Sequence, residues 1–170
     1  MRQGLLPEYQ RLLQVAEKNQ KENKEFVRKL RRQKPKDLDT VTHALHDLAF
    51  KKIDCLKCGN CCATTGPLLK VKDIDSLAAS KKMKPADFTT TFLKIDEDGD
   101  FVFKSLPCPF LRTDNYCSVY EARPGACKEY PHTQQRNILT KLPITFLNSM
   151  ICPAVAVVLE GLKKHYQKEY

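Results

Sequence analysis

Apolar residues recur at helical spacing from the start of the chain. Tyr9, Leu12, Leu13, Ala16, Phe26, Val27 and Leu30 mark a helix from Leu5 to about Gln33, interrupted by a polar middle from Glu17 to Glu25. Pro7 suits its first turn, and Arg28, Lys29, Arg31 and Arg32 complement the carbonyl end of its dipole. The segment Gln33-Lys34-Pro35 ends it, because the residue before a proline avoids helical geometry. A second helix is predicted over Leu38–Phe50, with Leu38, Val41, Leu45 and Leu48 on one face and Asp37 or Asp39 as cap. Residues 1–52 therefore read as a helical hairpin, an extension preceding a second region at 53–170.

The pattern beyond residue 53 is shorter in period. Leu68 to Val71 is a brief apolar passage, and a helix capped by Asp73 runs to about Lys82 with Ile74, Leu77 and Ala78 inward. Pro85 opens another short helix carrying Phe88, Phe92 and Leu93. Asp96 to Asp100 is a turn, and Phe101-Val102-Phe103 alternates like a strand. That acidic turn lacks the bidentate Glu which closes a calcium loop, so it reads as a hairpin. The final helix is expected over Pro153–Gln167, with Cys152 as its cap, where a thiolate would meet the positive end of the dipole. The fold class predicted is mainly α: a small, metal-organised domain with a minor β element and an N-terminal helical extension.

Charged residues are 29% and hydrophobic ones 42%, a globular balance. No apolar run exceeds the six residues Ala154 to Leu159, and Met1 to Pro7 has no apolar leader, so neither a membrane span nor a secretory signal is expected. A cytoplasmic address follows, where thiols stay reduced. The formal net charge is +9, yet no aromatic residues are interleaved with the lysines as on a base-stacking surface. The charge reads as solvated lysines; nucleic acid is not an expected partner, and a protein partner is left open.

Eight cysteines change this picture. Four stand in eight residues, Cys55, Cys58, Cys61 and Cys62, and three of them repeat as C-x2-C-x2-C around Gly59, which can take the positive φ such a loop needs. The others, Cys108, Cys117, Cys127 and Cys152, follow as C-x8-C-x9-C-x24-C. Eight in 170 residues is about 5%, below the level of a disulfide scaffold. A zinc ribbon would show a second C-x2-C knuckle, which is missing here. Three cysteines from one loop with a distant fourth is how many iron–sulfur clusters are held, and cysteine followed by proline, as at Cys108 and Cys152, recurs in ferredoxins. An iron–sulfur cluster is therefore favoured over zinc, with all eight cysteines as candidate ligands. His43 and His46, three apart on a helix, and the lone His132 read as ordinary histidines rather than ligands.

These motifs, in this order, resemble one family. Cys55 to Cys62 as CxxCxxCC, Cys108-Pro109-Phe110-Leu111, Val119-Tyr120-Glu121 with Arg123-Pro124 between Cys117 and Cys127, and Tyr130-Pro131 are similar to the YkgJ-type cysteine-cluster proteins over about residues 53–153. The resemblance implies zinc or iron chelation and names no reaction. One branch, the flagellin lysine methylases, carries the cluster in a much longer chain and is implicated in S-adenosylmethionine-dependent methyl transfer. That makes a methyltransferase-like enzyme or accessory subunit the alternative function. The six glycines here form no G-x-G cradle for such a cofactor, and no catalytic residue stands out. Within the shared segment, Glu121 and Arg123 read as a salt bridge setting the loop of Cys127.

Adjacent side chains diverge by about 100° in a helix and by more in a strand, so Cys61 and Cys62 are poorly placed to reach one metal. Cys61 is expected to continue the curl of Cys55 and Cys58. Cys62 is expected to face a second centre drawn from Cys108, Cys117, Cys127 and Cys152; a single centre beside reduced cysteines is the rival. The loops from Ser105 to Cys127 look too irregular to pack unaided, so metal is expected to be a folding requirement for residues 53–153.

Overall fold

The computed structural model describes residues 4–167. Their regular elements, in chain order, are α1 (Pro7–Lys18), α2 (Gln20–Gln33), α3 (Leu38–Phe50), α4 (Cys55–Cys58), α5 (Asn60–Thr64), α6 (Val71–Ser80), α7 (Pro85–Phe92), β1 (Leu93–Ile95), β2 (Phe101–Phe103), a single 3-10 turn (Tyr120–Ala122), α8 (Gly125–Glu129), α9 (Ile138–Ser149) and α10 (Pro153–Gln167). The class is mainly α with one two-stranded sheet, as the pattern predicts. The chain divides into two units, one formed up to Cys58 and again from Pro131, the other from Gly59 to Tyr130.

The first unit is organised on α10. Its Ala154, Val155, Val158 and Leu162 are fully buried, and it packs against α1, α3 and α9. A Cβ on Gly161 would come within 2.6 Å of Leu45 Cδ2, so the α3–α10 contact is set by the absence of a side chain there. The single helix expected from Leu5 to Gln33 is broken at Asn19, which leaves helical geometry at φ −92° and ψ 15°. Physically, the polar stretch around it offers no apolar stripe to hold one straight rod on the core; α1 buries Tyr9 and Ala16, α2 buries Phe26, Val27 and Leu30. The bounds of α3 are those predicted, but its buried face is Leu38, Thr42 and Ala49, while Leu48 is 56% exposed.

Asp37 stands at the N-cap of α3, as expected, but its side chain makes no capping hydrogen bond there. Asp37 accepts a hydrogen bond from Tyr166 Oη at 2.9 Å, which holds its carboxyl below the usual range, whereas the carboxylate of Asp39 accepts from the backbone N–H groups of Asn137 and Ile138, both at 2.9 Å. Asp39 thus caps α9, a helix the pattern did not announce because Pro143 lies inside it. Burial of Ile138, Leu142 and Thr145 along one stripe holds α9 together despite the missing N–H. His43 Nε2 meets the Gln135 carbonyl at 3.0 Å and His46 Nδ1 meets Thr133 Oγ1 at 2.7 Å, so both histidines fasten the segment leading into α9. Lys163, only 4% exposed, is held by Glu22 at 2.7 Å and Asn23 at 3.2 Å.

The second unit has an aromatic core. Phe88, Phe103 and Phe110 are buried with Leu69, Ile74, Leu77, Ala78, Leu93 and Val119. Ring centroids of Phe110 lie 5.9, 5.2 and 5.6 Å from those of Phe88, Phe92 and Phe103. β1 and β2 pair antiparallel, Leu93 opposite Phe103 and Ile95 opposite Phe101. Asp96 closes their turn by accepting from the backbone of Asp98 and Asp100, with Gly99 at φ +85°. Asp73, the residue expected to cap α6, sits in its first turn and accepts from Lys70 N at 2.9 Å; its other oxygen accepts from Gly125 N at 3.0 Å, which fixes the start of α8.

Candidate metal centre

None of the eight cysteines is in a disulfide; Cys58 and Cys152 are buried and Cys55 is exposed. Gly59 takes φ +54°, the left-handed turn the spacing requires, and starts α5. The division between the two units falls at this glycine, with Cys55, Cys58 and Cys152 in the first and Cys61, Cys62, Cys108, Cys117 and Cys127 in the second.

In the first unit, α4 is turned on Asp54, whose carbonyl accepts from Lys57 and Cys58 and whose own N–H donates to Tyr9 Oη at 3.1 Å. Cys152 lies at the start of α10, where the N–H groups of Val155 and Ala154 favour its thiolate. Burial is the larger effect and pushes the thiol up to about 12, with the neighbouring thiols of Cys55 and Cys58 adding to it. The expected lowering by the helix terminus is therefore corrected: in the metal-free chain desolvation wins and Cys152 stays protonated.

In the second unit, the backbone of Cys108 donates to the Cys62 carbonyl at 2.8 Å, tying α5 to the loop after Pro107. Leu111 and Cys117 form an isolated antiparallel bridge, and Ser118 N donates to the Phe110 carbonyl at 2.8 Å. This folds Cys108 and Cys117 back beside each other against the aromatic core, while α8 carries Cys127. Burial pushes the Cys108 thiol up to about 11, with Cys62 and Cys117 adding to the rise and the N–H groups of Phe110 and Leu111 opposing it. Cys117 is raised by burial and by Cys62, and favoured by the Val119 N–H. Cys127 is pushed up to about 12 by burial, then by Cys62, Cys108 and Cys117.

Backbone N–H groups thus reach the sulfurs of Cys108, Cys117 and Cys152 from two or three residues ahead. Such donors stabilise a thiolate ligand, and the pattern leaves no side-chain trace in the sequence. Among the described residues no group of three or more His, Cys, Asp or Glu side chains is placed to hold a metal ion. The fit is one of donor chemistry: eight soft sulfurs, of which Cys58 and Cys152 are buried, Cys55 is exposed and the rest are half-buried. Thiols held protonated must lose their protons when they take a metal, so metal uptake and deprotonation are one event.

The expected Glu121–Arg123 salt bridge is not formed. Glu121 is exposed, and the Arg123 guanidinium instead lies 3.7 Å above the Tyr120 ring, with its charge favouring ionisation of Cys117 and Cys127. Spacing alone could not separate these two arrangements. His132 has a left-handed backbone, φ 70°, and lies between the Pro131 and Thr133 that hold Asn148 and His46.

Comparison with protein families matches residues 54–145 to the CxxCxxCC model, described as a "putative zinc- or iron-chelating domain". Seven of the eight cysteines fall inside the match, and Cys152 lies beyond it. No curated protein and no solved structure matches the chain.

Proposed function

Because the chain belongs to the CxxCxxCC family of zinc- or iron-chelating domains, we propose that it is a metal-binding protein holding two thiolate centres. One uses Cys62, Cys108, Cys117 and Cys127. The other is built on Cys55, Cys58 and Cys152. What supports this reading is that the Cys108 N–H donates to the Cys62 carbonyl at 2.8 Å, that Cys62, Cys108 and Cys117 raise the Cys127 thiol, and that Cys55 and Cys58 raise that of Cys152.

The group of Cys55, Cys58 and Cys152 has the loop-plus-distant-Cys-Pro pattern of an iron–sulfur cluster, and that is the cofactor proposed for it. The Cys62 group offers four sulfurs without a knuckle and suits zinc or a cluster. A bound metal would cross-link the loops at each group, and a cluster would add reversible one-electron chemistry. The residues supply the rest: amide donors meet the sulfurs of Cys108, Cys117 and Cys152, and the thiols release their protons on loading.

Anaerobic purification followed by metal analysis, acid-labile sulfide determination and a visible spectrum tests this reading. Iron and sulfide in equal amounts, with charge-transfer absorption, are expected. Zinc alone at full occupancy would remove the cluster, and protein that takes up neither metal would remove the function.

A further inference from the structure

The exposed face of α2 carries more positive charge than the helix itself can use. Lys21, Lys24, Arg28 and Arg31 recur at three and four residues along one face, with Arg32 beside them. All five are exposed, opposite the buried stripe of Asn23, Phe26, Val27 and Leu30. Lys21–Lys24, Lys24–Arg28, Arg28–Arg31 and Arg28–Arg32 are like-charge neighbours, and such pairs destabilise a helix. The helix dipole accounts for Arg31 and Arg32 in the last turn but opposes Lys21 in the first. Among the described residues none of the five has an ion pair or a side-chain hydrogen bond. Glu22 is taken by Lys163 at 2.7 Å, and Glu25 lines a groove with Lys29 and Phe26 on the other flank. Packing of α2 on α9 and the hold of Lys163 on Glu22 and Asn23 keep the face in place. From Lys21 to Arg31 the row of cations runs about 15 Å, and exposed Lys34 and Lys36 continue it beyond the helix.

We propose that this face of α2 binds the phosphate backbone of a nucleic-acid duplex without reading its sequence. Backbone contacts need cations held in a row, and a packed helix supplies them. A polyanion also relieves the repulsion along the row. Other occupants lack what they require. A protein interface is anchored on aromatic or apolar side chains, and the large exposed apolar residues among those described include none on α2. A membrane surface takes an apolar helix face, and that of α2 is buried in the core. A single strand stacks its bases on aromatic rings, and Phe26, the one ring of α2, is buried. The lack of aromatic residues among the lysines speaks against base stacking and leaves phosphate contacts untouched. This role stands apart from the metal-binding reading and does not rest on it.

The test titrates the full chain, purified anaerobically, into fluorescent mixed-sequence duplexes of DNA and of RNA and reads anisotropy at several salt concentrations. Five phosphate contacts on DNA give a slope of log affinity against log salt of about −4.5, so binding should weaken by about 10²- to 10³-fold between about 50 and 200 mM. Affinity should be the same for a second, unrelated sequence, and the tighter of the two duplex types identifies the ligand. Lys24→Gln, Arg28→Gln and Arg31→Gln together should reduce the slope by about 3 and weaken low-salt binding by about 10²-fold. Lys72→Gln, Lys84→Gln and Lys94→Gln remove the same charge from exposed sites in the second unit and should leave the slope within about 1 of the parent. The α2 variant loses only exposed, mutually repelling charges, so its melting temperature should be unchanged or raised. If it fails to fold, Arg28→Gln alone decides, with a slope reduced by about 1 expected and an unchanged slope overturning the proposal. A parent that binds neither duplex, or equal losses in the α2 and control variants, would overturn it as well. So would displacement of the duplex by polyglutamate at equal charge concentration, which would assign the face to an acidic protein segment.

Discussion

Phe110→Ala should open the second unit at the point where its apolar core meets its cysteines. Phe110 is 3% exposed and contacts three other phenylalanines, with ring centroids between 5.2 and 5.9 Å away. It stands two residues from Cys108, and its carbonyl accepts from both Ser118 N and Ser118 Oγ. Truncation removes a fully buried ring and leaves a cavity walled by Phe88, Phe92 and Phe103. Transfer of such a side chain is worth up to about 3 kcal/mol, and the cavity brings the total for Phe→Ala to about 3–5 kcal/mol. With a urea dependence of about 2 kcal/mol per molar, the midpoint should fall by roughly 2 M. Urea unfolding by far-ultraviolet circular dichroism measures the shift, and hydrogen exchange locates it: amides of α6 and α7 should lose protection. The same variant should bind metal more weakly at the Cys62 group, because the loop that presents Cys108 and Cys117 loses its anchor. A midpoint lowered by less than about 0.5 M, with α6 and α7 still protected, would refute the claim that Phe110 joins core to ligands.

Three further outcomes follow from the same contacts. Gly59→Ala forces a side chain into the left-handed region at φ +54° and should cost about 1–2 kcal/mol in thermal unfolding, with Gly59→Asn recovering part of it; an unchanged melting point would contradict the turn. The metal-free protein should lose stability as pH rises above about 9, because unfolded thiols ionise there while Cys108, Cys127 and Cys152, pushed up to about 11, 12 and 12, keep their protons. The folded state then binds more protons than the unfolded state, so the slope is negative, up to about 1.4 kcal/mol per pH unit per thiol, and a flat urea midpoint from pH 8 to 10 would show the thiols are not buried as described. Chelation should raise amide exchange across Ser105–Cys127 while the buried amides of Leu77 and Phe88 stay slow; equal protection with and without metal in that stretch would make the metal irrelevant to its order.

Much of the helix map was legible because each signal was local. Pro7, Pro85 and Pro153 stand at the first positions of α1, α7 and α10, and the apolar spacing after Asp37 gives the bounds of α3. The hairpin was legible from one acidic turn and one alternating triplet. What stayed hidden depends on partners distant in sequence. Asp37 and Asp39 look like caps of their own helix, yet Tyr166 and the start of α9 claim them. α9 was masked by Pro143, whose effect tertiary burial outweighs. The eight cysteines announce metal chemistry, but spacing does not say which neighbours Cys152 has; Cys55 and Cys58 are among those that raise its thiol. Arg123 carries no motif that separates a cation lying over the Tyr120 ring from a surface salt bridge.

The central claim is that the cysteines act as two separate sets of ligands. Metal content per chain, measured in parallel on the wild type, Cys127→Ser and Cys152→Ser after anaerobic purification, addresses it most directly. Two centres in the wild type are expected, with Cys127→Ser emptying the Cys62, Cys108 and Cys117 group, Cys152→Ser emptying the Cys55 and Cys58 group, and each variant keeping most of the other's metal. A wild type that saturates at one centre, with either variant retaining its full metal content, would contradict the account.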